Sequence, residues 1–155
     1  MEQDRNGMEI LDRAECLGLL RTVPVGRVGL SVNALPVVLP VNFAYDAERN
    51  RIVIRTSEGG KLRAALLGAI VAFEADRIDP ISHTGWSVLV RGVSSLITDP
   101  EEIGRLRRLP LRPWASDQSD HWVAISTDLV TGRRIGGWYG QGALEHHHLG
   151  CSGQT

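Results

Sequence analysis

The sequence predicts a mainly β fold of the α+β class: an antiparallel barrel of about six strands with two or three short helices. Three observations carry that expectation. Short β-branched runs recur between turn residues, as in Ile52-Val53-Ile54, Ile70-Val71 and Val123-Ala124-Ile125. Helical stretches are few and short, so they cannot supply the regular crossovers of a parallel sheet. The 155 residues, 43% of them hydrophobic, suit one domain that buries roughly 68–70% of its unfolded surface.

The elements follow in order. Asp12 and Glu15 have capping-box spacing, and Cys16, Leu19 and Leu20 then share a helical face, until Val23-Pro24 ends the helix. From Arg27 to Val32 the period changes to that of a strand, and Asn33-Ala34 forms a turn. Leu35 to Tyr45 is a longer strand, in which Pro36 and Pro40 predict an edge or a bulge because neither can donate to a ladder. After a polar turn, Ile52 to Arg55 returns as a strand. A short helix is expected over Lys61 to Leu67, and a strand over Ile70 to Glu74. Asp76 to Pro80 reads as an acidic loop. Trp86 to Ile97 is a long strand with Gly92 in its middle, a bend or bulge. Asp99 and Pro100 open a second helix in the expected cap and first-turn positions. His121 to Ser126 and Thr131 to Ile135 complete the strands.

Composition narrows the function classes. A net charge of −1 and a pI near 6.5 argue against general nucleic-acid or membrane-surface binding. No apolar run approaches the ~20 residues that span a bilayer, and no signal-peptide core opens the chain, so a cytoplasmic location is expected. Cys16 and Cys151 follow no disulfide or zinc pattern. The expected organisation is a flexible start over 1–10, one domain over 11–140 and a disordered tail over 141–155. In that tail Leu144-Glu145 and His146 to His148 resemble part of a vector-encoded tag, and no functional metal site is read from them.

The stretch Ile52 to Leu62 is the most informative for chemistry. A strand runs into Arg55, Thr56, Ser57, Glu58, Gly59, Gly60 and Lys61, and a helix follows. Hydroxyls, bare backbone and cations at a helix start suit a phosphate. A solvated, charged turn is an equal reading. The Walker A and dinucleotide glycine spacings are absent. Trp86, Trp114, Trp122 and Trp138 read as core or interface mass, or as walls for a flat ring. His83 and His121 are acid–base candidates that read more simply as loop or strand-end residues. Arg105, Arg107, Arg108 and Arg112 read as a solvated helix face.

Taken in order, six segments resemble the pyridoxamine 5′-phosphate oxidase-like family of FMN-binding split β-barrels. They are Gly26 to Leu30, Pro36 to Phe43, Arg55 to Lys61, Val71 to Glu74, Thr84 to Gly92, and the Arg-Ile-x-x-Trp of Arg134 to Trp138. The resemblance implies a six-stranded split barrel, a homodimer with FMN at the subunit interface, and flavin-dependent oxidoreductase activity on a small organic substrate. It also implies roles for particular residues. Thr56, Ser57 and Lys61 would hold the FMN phosphate, with Arg55 and Leu62 beside them. Pro40, Val41 and Asn42 would lie against the ring. Trp86 and Ser87 would reach across from the partner, and Arg134 and Trp138 would complete the site. The family's basic second strand and late Arg-x-His motif are absent, which argues against pyridoxamine phosphate as substrate. The alternatives are a deazaflavin F420-dependent reductase of the same fold and a non-catalytic flavin- or haem-binding dimer.

Overall fold

The computed structural model describes residues 2–56, 64–112 and 121–136. Eight strands and two helices are assigned among them: β1 (Glu9–Leu11), α1 (Arg13–Leu20), β2 (Val25–Val32), β3 (Leu35–Asp46), β4 (Arg51–Thr56), β5 (Ile70–Asp79), β6 (Thr84–Ile97), α2 (Pro100–Leu106), β7 (His121–Ser126) and β8 (Leu129–Ile135). Every pairing between strands is antiparallel. The order β6-β5-β2-β3-β4-β7 closes on itself through β6–β7, giving the expected six-stranded barrel. β8 and β1 extend from the other half of the same edge of β6.

That shared edge is where the barrel splits. Residues Gly85 to Arg91 of β6 pair with β8, and Ser94 to Ile97 pair with β7. Gly92 sits at the changeover: a Cβ there would lie 1.8 Å from the Ser126 carbonyl oxygen. The ladder gap is filled by a side chain. The Ser126 hydroxyl accepts from the Val93 amide at 2.9 Å and donates to Asp128 at 2.8 Å. The sequence expectation of a bend at Gly92 is met, with close backbone approach as its cause.

Alternation along the strands sorts side chains into two cores. Inside the barrel lie Val28, Leu30, Phe43, Ile52, Ile54, Phe73, Val88, Val90, Val123 and Ile125, with Phe43 and Phe73 meeting edge to face at 4.7 Å. On the outer side Ala44, Val53, Ile97, Trp122 and Ala124 pack against Leu106 of α2 and Leu111. α1 carries the expected reciprocal cap: Glu15 N–H donates to Asp12 at 2.8 Å, and Asp12 N–H donates to Glu15 at 2.9 Å. Its Cys16 and Leu20 are buried, Cys16 as a free thiol.

α2 is held to the barrel by charge as well as by apolar contact. Arg105 donates to Asp46 at 2.6 Å and to Glu102 at 2.7 Å, and Arg51 reaches Asp46 at 3.0 Å and also Glu102. Arg105 therefore leaves the expected solvated face, because a carboxylate 1% exposed on the barrel wall needs a cation. Burial pushes the Asp46 carboxyl up, but hydrogen bonds from Arg105 and Arg51 outweigh it and leave it below the ordinary range. Glu102 is also held low, mainly by its bond from Arg105.

One further expectation is corrected. Asp76 to Asp79 do not form a loop; they pair with Ser87 to Thr84 and continue β5. Asp76 follows fully buried Ala75 and keeps its charge on the outer face, and Arg77 to Asp79 are exposed at the end of the strand. Within the stretch expected to be flexible, the Asp4 carboxylate accepts from the Asn6 and Met8 amides, and Glu9 and Ile10 belong to β1. Among the described residues no helix is long and apolar enough to cross a membrane.

Two outcomes follow. Gly92→Ala should destabilise the fold by about 3 kcal/mol, the upper end for overpacking, as read by urea denaturation. Asp46 and Glu102 are more acidic folded than unfolded, so their contribution is present above about pH 4 and is lost as the pH falls through and below that value. Asp46→Asn should cost about 3 kcal/mol near pH 7 and show a shallower acid loss than the parent chain. Parallel stability curves from pH 7 to 3 would reject the assignment.

Candidate functional site

The candidate site lies at the rim of the barrel where β4 ends. Thr56 pairs with His121, and Arg55 with Trp122. On the other side of β4, pairing with β3 stops at Phe43↔Ile54. Beyond that point β3 pairs only with β2 among the described residues, and its second edge is open from Leu35 to Asn42. Continuing the register by two residues would set Asn42 next to Arg55 and Val41 next to Thr56. Val41 thus borders the barrel interior, whereas Asn42 and Arg55 belong to the outer face with Trp122.

The prolines are explained by this edge. The Phe43 amide donates to Pro24 on the β2 side at 3.1 Å, so alternation directs the backbone nitrogens of Pro36 and Pro40 to the open edge. No ladder bond is lost there. Asn42 donates through its side chain to the Arg112 carbonyl, tying the open edge to the segment after α2.

The stretch 57–63, with Ser57, Lys61 and Leu62, lies outside the described residues, as does Trp138. Both flanks of that stretch are positioned. On one side Thr56 is in the β4 ladder. On the other, residues 64–66 are helical and Leu66 enters the barrel core. Buried Ser94 of β6 anchors this exit: its hydroxyl donates to the Leu66 carbonyl, the Gly68 amide donates to the Ser94 carbonyl at 3.0 Å, and the Ser94 amide donates to Ala69 at 2.9 Å.

Arg55 is oriented by an aromatic face. Its guanidinium carbon lies 5.3 Å from the centroid of the Trp122 ring, and Trp122 is 3% exposed in the core beneath α2. Sequence reasoning did not single out Ser94, and it named Trp122 only among four tryptophans read as core mass or ring walls, with no role beside Arg55. For Trp122 a signal existed, since it stands beside His121 in a strand expected to pair, but its partner strand was not readable from one sequence. Nothing in the sequence marks Ser94.

Trp86, Ser87 and Arg134 form a second group, well away from the rim. Trp86 pairs with Arg134 on β8 and with Arg77 on β5, and Ser87 pairs with Arg133. Trp86 is 6% exposed and belongs to its own chain's core. Arg134 is half-exposed and meets Glu9 of β1 at 3.0 Å. His83 sits at the tip of the β5–β6 hairpin in a left-handed conformation, far along β6 from His121. Among the described residues no cluster of three or more His, Cys, Asp or Glu side chains is arranged to hold a metal.

Comparison with known proteins agrees with this architecture. The family model for pyridoxamine 5′-phosphate oxidase matches residues 12–134. The Mycobacterium tuberculosis protein Rv0080, described as uncharacterized, is 42% identical over 130 residues, covering 81% of this chain and 84% of its own. An FAD binding protein from Mycobacterium smegmatis superposes with a TM-score of 0.73 at 36% identity, over 82% of this chain and 98% of the other. A conserved protein of unknown function from Corynebacterium diphtheriae gives a TM-score of 0.68 at 32% identity, over 83% and 98%. With the matched segment spanning both helices and nearly all of the barrel, the chain belongs to the pyridoxamine 5′-phosphate oxidase family of split β-barrels.

Proposed function

We propose that the protein is a homodimeric, FMN-binding oxidoreductase of the cytoplasm that acts on a small organic substrate. The observation that carries this reading is the rim geometry. β4 runs to Arg55 and Thr56 beside an edge of β3 that is unpaired among the described residues, and the sequence between Thr56 and the core residue Leu66 carries Ser57, two glycines and Lys61. A phosphate suits that combination of cations, hydroxyls and bare backbone, and a ring could lie along the open edge at Pro40, Val41 and Asn42. When bound, the flavin supplies the hydride or electron transfer; the residues of this chain bind it and orient it. No acid–base residue is assigned.

The dimer reading rests on distance and on surface. Arg55 lies level with Trp122 and Ile97, at one end of β6. Trp86 is eleven residues earlier on that strand, about 36 Å of strand contour. One chain therefore supplies the two halves of the expected site at separate ends of a strand, and a second chain can bring them together. The outer sheet face is suited to a second copy. Val38 and Ile70 are 70% and 80% exposed on it beside small Gly29 and Ala72, and Leu129, 56% exposed, follows on the far side of exposed Arg91. Such a patch of large apolar side chains marks an interaction surface. Trp86 would wall the partner's cofactor from within its own core, with Ser87 and Arg134 at the surface and Trp138 nearby in sequence.

The 36% identity to an FAD binding protein favours FAD as the second reading, with the adenylate extending beyond the same phosphate site. F420 or haem would each give a different visible spectrum. The purified protein should show the two absorption bands of an oxidised flavin, and mass spectrometry of the released cofactor separates FMN from FAD. A haem Soret band, an F420 spectrum, or a colourless protein with no thermal shift on FMN addition would reject the proposal. Lys61→Ala should weaken FMN by about 10-fold or more through loss of a charge-assisted contact. Ile70→Asp with Val38→Asp should leave the fold intact, yield a monomer by sedimentation and lower flavin affinity. A dimer unchanged by both substitutions would place the interface elsewhere.

A further inference from the structure

We propose that a groove on the opposite edge of β3 from the rim is a second binding site, for a small apolar carboxylic acid that carries a hydrogen-bond donor next to its carboxylate. It lies outside the candidate flavin site and does not depend on that reading. β3 changes partner between Asn42 and Phe43. Up to Asn42 it pairs with β2, and from Phe43 onward it pairs with β4. β2 starts at Val25, so the β2 side of β3 is left open after Phe43. The Phe43 amide makes the last bond on that side, to the Pro24 carbonyl at 3.1 Å. Alternation directs the N–H and C=O of Tyr45 the same way, past the start of β2. Among the described residues no strand pairs with them there.

This open main chain faces a cavity of about 430 Å³, within the roughly 300–1,000 Å³ of small-molecule sites. Val23 and Pro24 of the α1–β2 connection and Leu109 and Pro110 after α2 line it with apolar surface. Both connections are held by the protein itself. Arg77 donates to the Thr22 carbonyl at 2.8 Å, and the Leu109 amide donates to the Leu106 carbonyl at 3.0 Å. A preformed cavity spends less of its binding free energy on ordering. Arg21 also lines the cavity, exposed and without an ion pair among the described residues, and no acidic side chain lines it. The Arg21 charge is felt at the floor: burial pushes the Tyr45 hydroxyl up, Arg13 opposes it, Asp46 adds to it, and Arg21 opposes it again. That hydroxyl already donates to Asn50 at 2.8 Å, which leaves the main chain of Tyr45 to meet a ligand. A guanidinium and a backbone N–H suit a carboxylate. The Tyr45 carbonyl beside that N–H needs a donor, which a carboxylate alone does not supply.

The test is isothermal titration of phenyllactate, of phenylpropionate, which lacks the hydroxyl, and of phenylpropanediol, which lacks the carboxylate. Phenyllactate is expected to saturate with a dissociation constant of about 1 mM or lower. Phenylpropionate should bind about 3- to 10-fold more weakly, the range of a neutral hydrogen bond, and the diol about 10-fold or more weakly. Arg21→Ala should weaken phenyllactate about 10-fold and leave the diol unchanged. Thr22→Trp should abolish binding by placing a large ring in the cavity. Both positions are exposed, so an unchanged melting temperature is expected for each variant. Saturating FMN should leave phenyllactate affinity unchanged. A parent chain that does not saturate, equal affinities for the three compounds, an affinity untouched by both Arg21→Ala and Thr22→Trp, or displacement by FMN would each overturn the proposal. None of those results bears on whether the rim holds a flavin, except displacement, which would move the acid to the rim.

Discussion

The fold depends on one strand serving two partners along a single edge. β6 gives the edge of its first half to β8 and that of its second half to β7, and the changeover at Gly92 is where the sheet closes. Without that close approach β7 could not reach β6, and the barrel would be an open sheet with two free edges. Closure turns alternation into a sorting rule. Residues of one parity, such as Val88, Val90, Phe73 and Val123, face a sealed interior, and those of the other parity face α2 or the surface. The polar side chains at the changeover are part of the same device. Ser126 satisfies the Val93 amide, and Thr127 donates to the Asn50 carbonyl, in a place where no strand partner is available.

The second core shows how a buried charge can be tolerated without being a main source of stability. Asp46 is 1% exposed on the barrel wall, and ionised carboxylates in such a position are costly unless paired. Two guanidiniums meet it, and Glu102 meets the same two, so the four groups carry no net charge. Replacing such a cluster by apolar residues is often neutral for stability. What the charges do add is geometry: they fix where α2 lies on the outer face. Through Leu106 and Leu111 that placement sets the surroundings of Trp122, and through Asn42 and Arg112 it sets the open edge of β3. The network is remote from the rim in sequence but next to it through one layer of packing.

Much of the fold was legible because its signals are local. The Asp12–Glu15 cap, the Asn33-Ala34 turn with both residues at positive φ, the edge marked by Pro36 and Pro40, the Asp99-Pro100 helix start and the bend at Gly92 each depend on a few adjacent residues. Errors arose where composition outweighed pairing. Asp76 to Asp79 looked like a loop because acids and a proline cluster there, yet their partners on β6 hold them in the strand. Arg105 looked solvated because the acid it meets, Asp46, is 59 residues away in sequence. Glu9–Leu11 was missed as a strand since three residues carry no period. Candidate site residues divide in the same way. Arg55 and Thr56 announce themselves by type and by the glycines after them. Trp122 and Ser94 matter through contacts across the sheet, and no single sequence states which strand lies beside which.

The split of the barrel also bears on why the proposed site would need two chains. The β6 strand that closes the barrel at Ile97 continues back through Gly92 to Trp86, outside the closed part, where it is bordered by β8. The two groups of described candidate residues therefore lie level with opposite ends of one strand. The proposed two-fold pairing through the outer sheet face would solve this geometrically, because a two-fold axis perpendicular to the strand sets each end of one β6 near the opposite end of the other. On the proposed reading, the apolar exposure of Val38, Ile70 and Leu129 and the distribution of the candidate site residues are one design constraint. A barrel that sealed its own interior completely would leave no slot for a ring, and in the proposed dimer that slot would lie between two copies.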